Sequence, residues 1–201
     1  MLRPVAWVAA TTVGLVVAGF IFHFPGSFGG HGTWNVSAAI FGLILGAISG
    51  VLVGLIQWIA LLLPRRAGGR LLLAMAIGVG VTHAVHDGAP NSVGLIGVPV
   101  IGGVAMLAAF AGPLGERRPI VLATCFLAWT GGLLLAEVVT KALGMPLEET
   151  PVGWATRHAM DGLVVGLVWG IATVAVGLPA ILDRREAAAD PTTAAALSPG
   201  G

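Results

Sequence analysis

Residues 36–63 read VSAAIFGLILGAISGVLVGLIQWIALLL and hold no Asp, Glu, Lys, Arg or His. A helix rises about 1.5 Å per residue, so roughly 20 apolar residues cross a hydrocarbon core of about 30 Å. This run is longer than that requirement. Inside lipid no water satisfies backbone N–H and C=O groups, so the chain must bond internally, and a single segment does that only as a helix. The same run carries Gly42, Gly46, Gly50 and Gly54. At 3.6 residues per turn they fall in one nearly straight groove, where a second helix can approach closely. Close packing is the main attraction between helices in lipid, so the groove is expected to be a packing face.

The rest of the chain has the same character. Fifty-seven per cent of residues are hydrophobic, 9% are charged and the mean hydropathy is +0.97. A soluble domain carries about 25% charged residues, so water is not the main solvent here. Apolar runs place spans at Val5–Phe22, Val36–Leu63, Leu71–Val85, Val93–Ala111, Ile120–Val139 and Gly162–Leu182. The expected fold class is all-α, a polytopic integral membrane protein. It is read as one transmembrane domain over 1–182, a bundle of six helices. Residues 183–201 lack apolar periodicity and aromatics, and are read as a disordered cytoplasmic tail.

Three basic pairs punctuate the chain, in LLLPRR, GPLGERR and LPAILDRR, as though three related hairpins followed one another. AISGVLVGL (47–55) also lies without a gap over AMDGLVVGL (159–167), which points to duplication of a two-helix unit. Span six repeats the glycine device with Gly162, Gly166 and Gly170. Pro99, beside Gly97, Gly102 and Gly103, is expected to kink span four.

Charge sets the expected orientation. Arg3, Arg65, Arg66, Arg70, Arg117, Arg118, Arg184 and Arg185 fall on one side of the six spans, and only Lys141 and Arg157 on the other. The positive-inside rule then puts both termini in the cytoplasm of an inner-membrane protein. Trp7 on the inner side, and Trp34 and Trp154 on the outer, are read as interfacial anchors. A net charge of +1 excludes nucleic acid as a natural partner. Cys125 stands alone, so no internal disulfide and no cysteine-based zinc site can form. No GxxxxGK[ST] loop is present to bind a nucleotide.

The polar residues cluster on the expected outer side. VTHAVHDGAPN (81–91) ends span three with His83, His86 and Asp87; His23 and His31 follow span one; His158 and Asp161 precede span six. Thr150 followed by Pro151 reads as an N-cap and first turn, so Trp154, His158 and Asp161 share one helical face. Converging faces of spans three and six would supply His83, His86, Asp87, His158 and Asp161 as metal ligands. That donor set suits a divalent transition metal, and the imidazoles suit haem. Plain exclusion of histidine from lipid competes with that reading. Glu137 and Lys141, four residues apart in span five, read as a snorkelling ion pair, or as a proton-relay acid. Gln57 is expected to bond a neighbouring helix.

GAISG (46–50) together with RHAMDG (157–162) resembles the serine and histidine motifs of rhomboid intramembrane proteases. The resemblance implies Ser49 as nucleophile and His158 as its base. In that family the serine motif belongs to the fourth span, and the histidine stands three residues before its glycine. Here Ser49 is in the second span and His158 is four residues before Gly162, which breaks the pairing a serine nucleophile needs.

The function expected is therefore binding or conduction of a cation or small solute at an outward-facing His/Asp site, rather than enzymatic turnover. The alternative is an accessory membrane subunit that packs partner helices, a second copy of itself or lipid through its glycine grooves. An intramembrane hydrolase using Ser49 and His158 ranks last.

Overall fold

The computed structural model describes residues 2–22, 33–90, 93–145 and 150–182. They form six long helices: α1 (Leu2–Phe22), α2 (Val36–Leu61), α3 (Arg65–Gly88), α4 (Gly94–Ala111), α5 (Pro119–Ala142) and α6 (Pro151–Ala175). A short helical stretch over 178–182 follows, and there is no sheet among the described residues. Arg3–Phe22, α2, α3, α5 and α6 are long and apolar enough to cross a membrane, while Ile96–Ala111 is apolar but shorter. His23, His31, Glu148, Glu149 and the tail 183–201 lie outside the described residues.

Local chemistry explains most boundaries. The Asn35 side chain accepts a hydrogen bond from the Ala38 N–H at 3.0 Å, capping α2, and the Thr150 hydroxyl does the same for Gly153 at 3.0 Å in α6. α2 stops where Leu62 turns left-handed at φ 50 and Pro64 follows. α3 starts at Arg65, directly after Pro64 at its N-cap and six residues before the first leucine of its apolar run. α6 ends at Ala175 rather than running on to Leu182. Gly177 takes φ 73 there, a conformation that breaks the helix.

Each helix packs mainly against its chain neighbours, and α1 closes the circuit on α6. The centre is filled, not open. Trp129 and Phe110 both meet Trp169 edge-on, with ring centroids 5.5 and 5.4 Å away, among Met75, Met106, Leu71 and Val53. Trp7 corrects an expectation: it is no interfacial anchor but fully buried, its indole N–H donating to the Thr173 hydroxyl at 2.8 Å. Gln57 donates to the Thr11 hydroxyl of α1 at 2.7 Å, a side-chain partner rather than a backbone one.

The closest helix pairs are α2 with α3 and α1 with α6. A Cβ added at Gly46 would lie 2.7 Å from His83 Cβ, and one at Gly54 would lie 3.1 Å from Leu72 Cα. At Gly50 it would collide with the Met75 carbonyl. Across the other pair, a Cβ at Gly166 would lie 2.6 Å from Thr12 Cα, and one at Gly162 would strike the Leu15 carbonyl. Between α4 and α5, the Thr130 hydroxyl sits over Gly103 and donates to the Pro99 carbonyl at 3.1 Å.

Candidate functional site

Alternating helix direction gathers the basic residues Arg3, Arg65, Arg66, Arg70, Arg117 and Arg118 at one end of the bundle, hereafter the arginine end. The opposite, histidine end holds three polar groups, each anchored at a different helix interface.

The first belongs to the α2–α3 interface. Gly46 leaves the space that His83 fills, so the imidazole is buried, with Nδ1 3.0 Å from the Val79 carbonyl one turn back. One turn further on, His86 Nδ1 is 2.7 Å from Asp87 Oδ1. With its N–H on Nδ1, the imidazole donates to the carboxylate and fixes its direction. Gly42 makes room for that carboxylate: a Cβ there would lie 2.5 Å from Asp87 Oδ2.

The second group belongs to α6, where it meets α1. His158 and Asp161 are both 0% exposed, with His158 Nδ1 3.6 Å from Asp161 Oδ2. Trp154, one turn earlier, stacks edge-on against His158 with ring centroids 4.7 Å apart. A Cβ at Gly19 would strike the His158 carbonyl, so α1 presses directly on this turn. Neither carboxylate oxygen of Asp161 has a hydrogen-bond partner. Leaving an ionised carboxylate in an apolar interior without donors is expensive, so this residue is the least explained by structure alone.

The third group links α5 to α6. Glu137 Oε2 is 3.2 Å from the Arg157 guanidinium, and Oε1 is 2.8 Å from Lys141 Nζ. Glu137 and Arg157 are buried, whereas the Lys141 side chain is 63% exposed. The i,i+4 partner was legible in the sequence; the buried one was not.

Of the five expected ligands, the structure brings His86 to Asp87 and His158 to Asp161. His83 turns to its own helix and to Gly46. Among the described residues, no three His, Cys, Asp or Glu side chains gather in a way that could hold a metal ion. Ser49 is buried on α2, and its hydroxyl has no hydrogen-bond partner, so it is not paired to His158.

A cleft of about 390 Å³ opens at this end, lined by Ile21 and Phe22 of α1, Phe41 and Leu45 of α2, Asp87 of α3 and Trp154 of α6. It joins the first two groups spatially, because its two polar walls are the partners of His86 and His158.

Comparison with protein-family models, curated proteins and solved structures found no match to this chain.

Proposed function

We propose that this chain is a six-span inner-membrane protein, with both termini cytoplasmic, that binds a small cation inside its bundle at Asp161 beside His158. The observation that carries the reading is the fully buried Asp161 carboxylate, whose two oxygens have no hydrogen-bond donor. A bound cation supplies the counter-charge that a neutral His158, 3.6 Å away, does not. Intramembrane acids are costly enough that they commonly mark ion or proton paths. With so few protein ligands at hand, a proton or another monovalent ion fits better than a transition metal or haem.

The six-span count rests on α4. Its 18 residues extend about 27 Å at 1.5 Å per residue, close to a hydrocarbon thickness of about 30 Å. The hairpin reading gains support from three glycines. Added Cβ atoms at Gly14, Gly78 and Gly132 of the odd-numbered helices would each meet the next helix, at Val53, Met106 and Val165. The glycine groove of α2 then joins the first hairpin to the second, and that of α6 joins the third back to the first.

Purified protein in nanodiscs offers the test, with tryptophan fluorescence as readout because Trp154 touches His158. Titrations with acid and with Na⁺, K⁺, Ca²⁺ and Zn²⁺ salts should yield one saturable change, lost or weakened at least tenfold in Asp161→Asn. No saturable response to any of them, or an identical response in a folded Asp161→Asn variant, sinks the cation site.

A second reading, the accessory subunit, has its own observation. A furrow of about 520 Å³ on α1 and α6 is walled by Val5, Val8, Val13, Leu167 and Ile171, and at its floor Thr12 carries a hydroxyl without a partner. A foreign transmembrane helix seated there would copurify with the protein, and Val8→Trp would release it.

A further inference from the structure

We infer that Arg157 is a tethered counter-ion that closes the cation site when it turns to Asp161, and that Glu137 is the positioning residue that holds it off. The inference rests on the Asp161 reading above and adds how that site is opened and closed.

Charge is unevenly shared where α5 meets α6. Glu137 holds two cations, Arg157 at 3.2 Å and Lys141 at 2.8 Å, whereas neither oxygen of Asp161 has a donor. Arg157 is 2% exposed, and its Nε–H lacks an acceptor. A buried N–H and a buried carboxylate are thus both unsatisfied one helical turn apart, each at a desolvation cost. Side chains in a helix lean toward its N-terminus, so the Asp161 carboxylate lies over the turn that carries Arg157. Residues four apart on a helix are neighbours, within reach of an arginine side chain.

The register of α5 puts the second acid beside the same turn. A Cβ at Gly132 would lie 3.3 Å from Val165 Cα, which marks where these two consecutive, oppositely directed helices cross. Five residues from that crossing toward the histidine end lie Glu137 on α5 and Met160 on α6, the latter between Arg157 and Asp161. Rotation of the Arg157 side chain alone then carries the guanidinium from one carboxylate to the other.

Neither arrangement strands the guanidinium. With Arg157 on Glu137, as in the structure, Asp161 is open to a mobile cation. With Arg157 on Asp161, the acid is already neutralised and Glu137 keeps Lys141. A mobile cation and Arg157 therefore compete for one carboxylate, and Glu137 tips that competition toward the cation.

Two measurements test the exchange. In detergent melts at low salt, Glu137→Gln and Asp161→Asn should each lower the thermal midpoint modestly, because the remaining acid still pairs Arg157. Combined, they should lower it by more than the sum, since the guanidinium is then stranded. In the nanodisc fluorescence titrations, with acid and the same four salts, Glu137→Gln should weaken the response by about tenfold or more. In an Arg157→Gln background the same change should cost less than about twofold, because no tethered competitor remains. A purely electrostatic effect of Glu137 would be equal in both backgrounds. Additive melting shifts, failure of Glu137→Gln alone to fold, or equal weakening in the two backgrounds overturns the inference. A double variant that fails to fold while both single variants fold is the expected synergy at its extreme. Synergistic melts in protein that gives no saturable response leave the Arg157 exchange standing while the cation reading falls. Additive melts beside a saturable response do the reverse.

Discussion

Arg157 shows how much a single side chain depends on where its helix is put. In sequence it is one of two bases on the acidic side; in the fold it is buried against Glu137, with Lys141 on the same carboxylate from the outside. The two cations differ in worth. An exposed ion pair contributes about 0–1 kcal/mol, whereas removing one partner of a buried pair costs about 3–5 kcal/mol because the other charge is stranded. Arg157→Met should therefore lower the thermal midpoint in detergent well beyond Lys141→Ala. The double variant Glu137→Leu/Arg157→Met should recover most of the loss, since neither member of the pair is then left as a stranded buried charge. Equal, small shifts for the two single variants would mean that water reaches Glu137 and the pair is not buried in solution. By comparison, the Gln57–Thr11 bond is a minor contribution, since interhelical side-chain bonds in membrane proteins average about 0.6 kcal/mol.

At the scale of the helix, glycines of identical type divide into two kinds. Gly50 and Gly162 face carbonyl groups of α3 and α1, whereas a Cβ at Gly69 or Gly131 would meet nothing within 4 Å. Backbone cannot rotate aside as a side-chain tip can, so Gly50→Ala and Gly162→Ala must separate two helices. Both should destabilise the bundle in detergent melts. Gly69→Ala and Gly131→Ala should be neutral or stabilising by up to about 1 kcal/mol, since alanine costs less backbone entropy in a helix than glycine. A uniform response at all four positions would refute the distinction. Spacing alone made the groove visible; which helix fills it was not, because a stripe of glycines is complementary to any close backbone. Pro99 is similar. It lies inside α4, which runs as one helix from Gly94 to Ala111, and the Thr130 hydroxyl that donates to its carbonyl sits on another helix.

For the molecule as a whole, the proposed orientation, with the arginine end toward the cytoplasm, is tested by labelling. With Cys125 replaced by Ala, Thr33→Cys should react with an impermeant maleimide added to intact cells, and Gly69→Cys should react only after lysis. Both positions are exposed, so labelling at Gly69 in intact cells would reverse the orientation. Composition and run length by themselves determined that this is an all-helical chain with several helices long enough to span a membrane. Lipid imposes that through backbone hydrogen bonding, whatever the neighbours are. Capping chemistry likewise set the start of α6 at Thr150, because the donor and acceptor lie three residues apart. Tertiary structure alone decided which polar residues share a site. His83, His86, Asp87, His158 and Asp161 sit at similar depth, but their grouping depends on which way each helix is rotated about its axis. That rotation is set by glycine contacts and by the packing of Trp129, Trp169 and Phe110 at the centre. These are long-range interactions between surfaces, and no local spacing in the sequence encodes them.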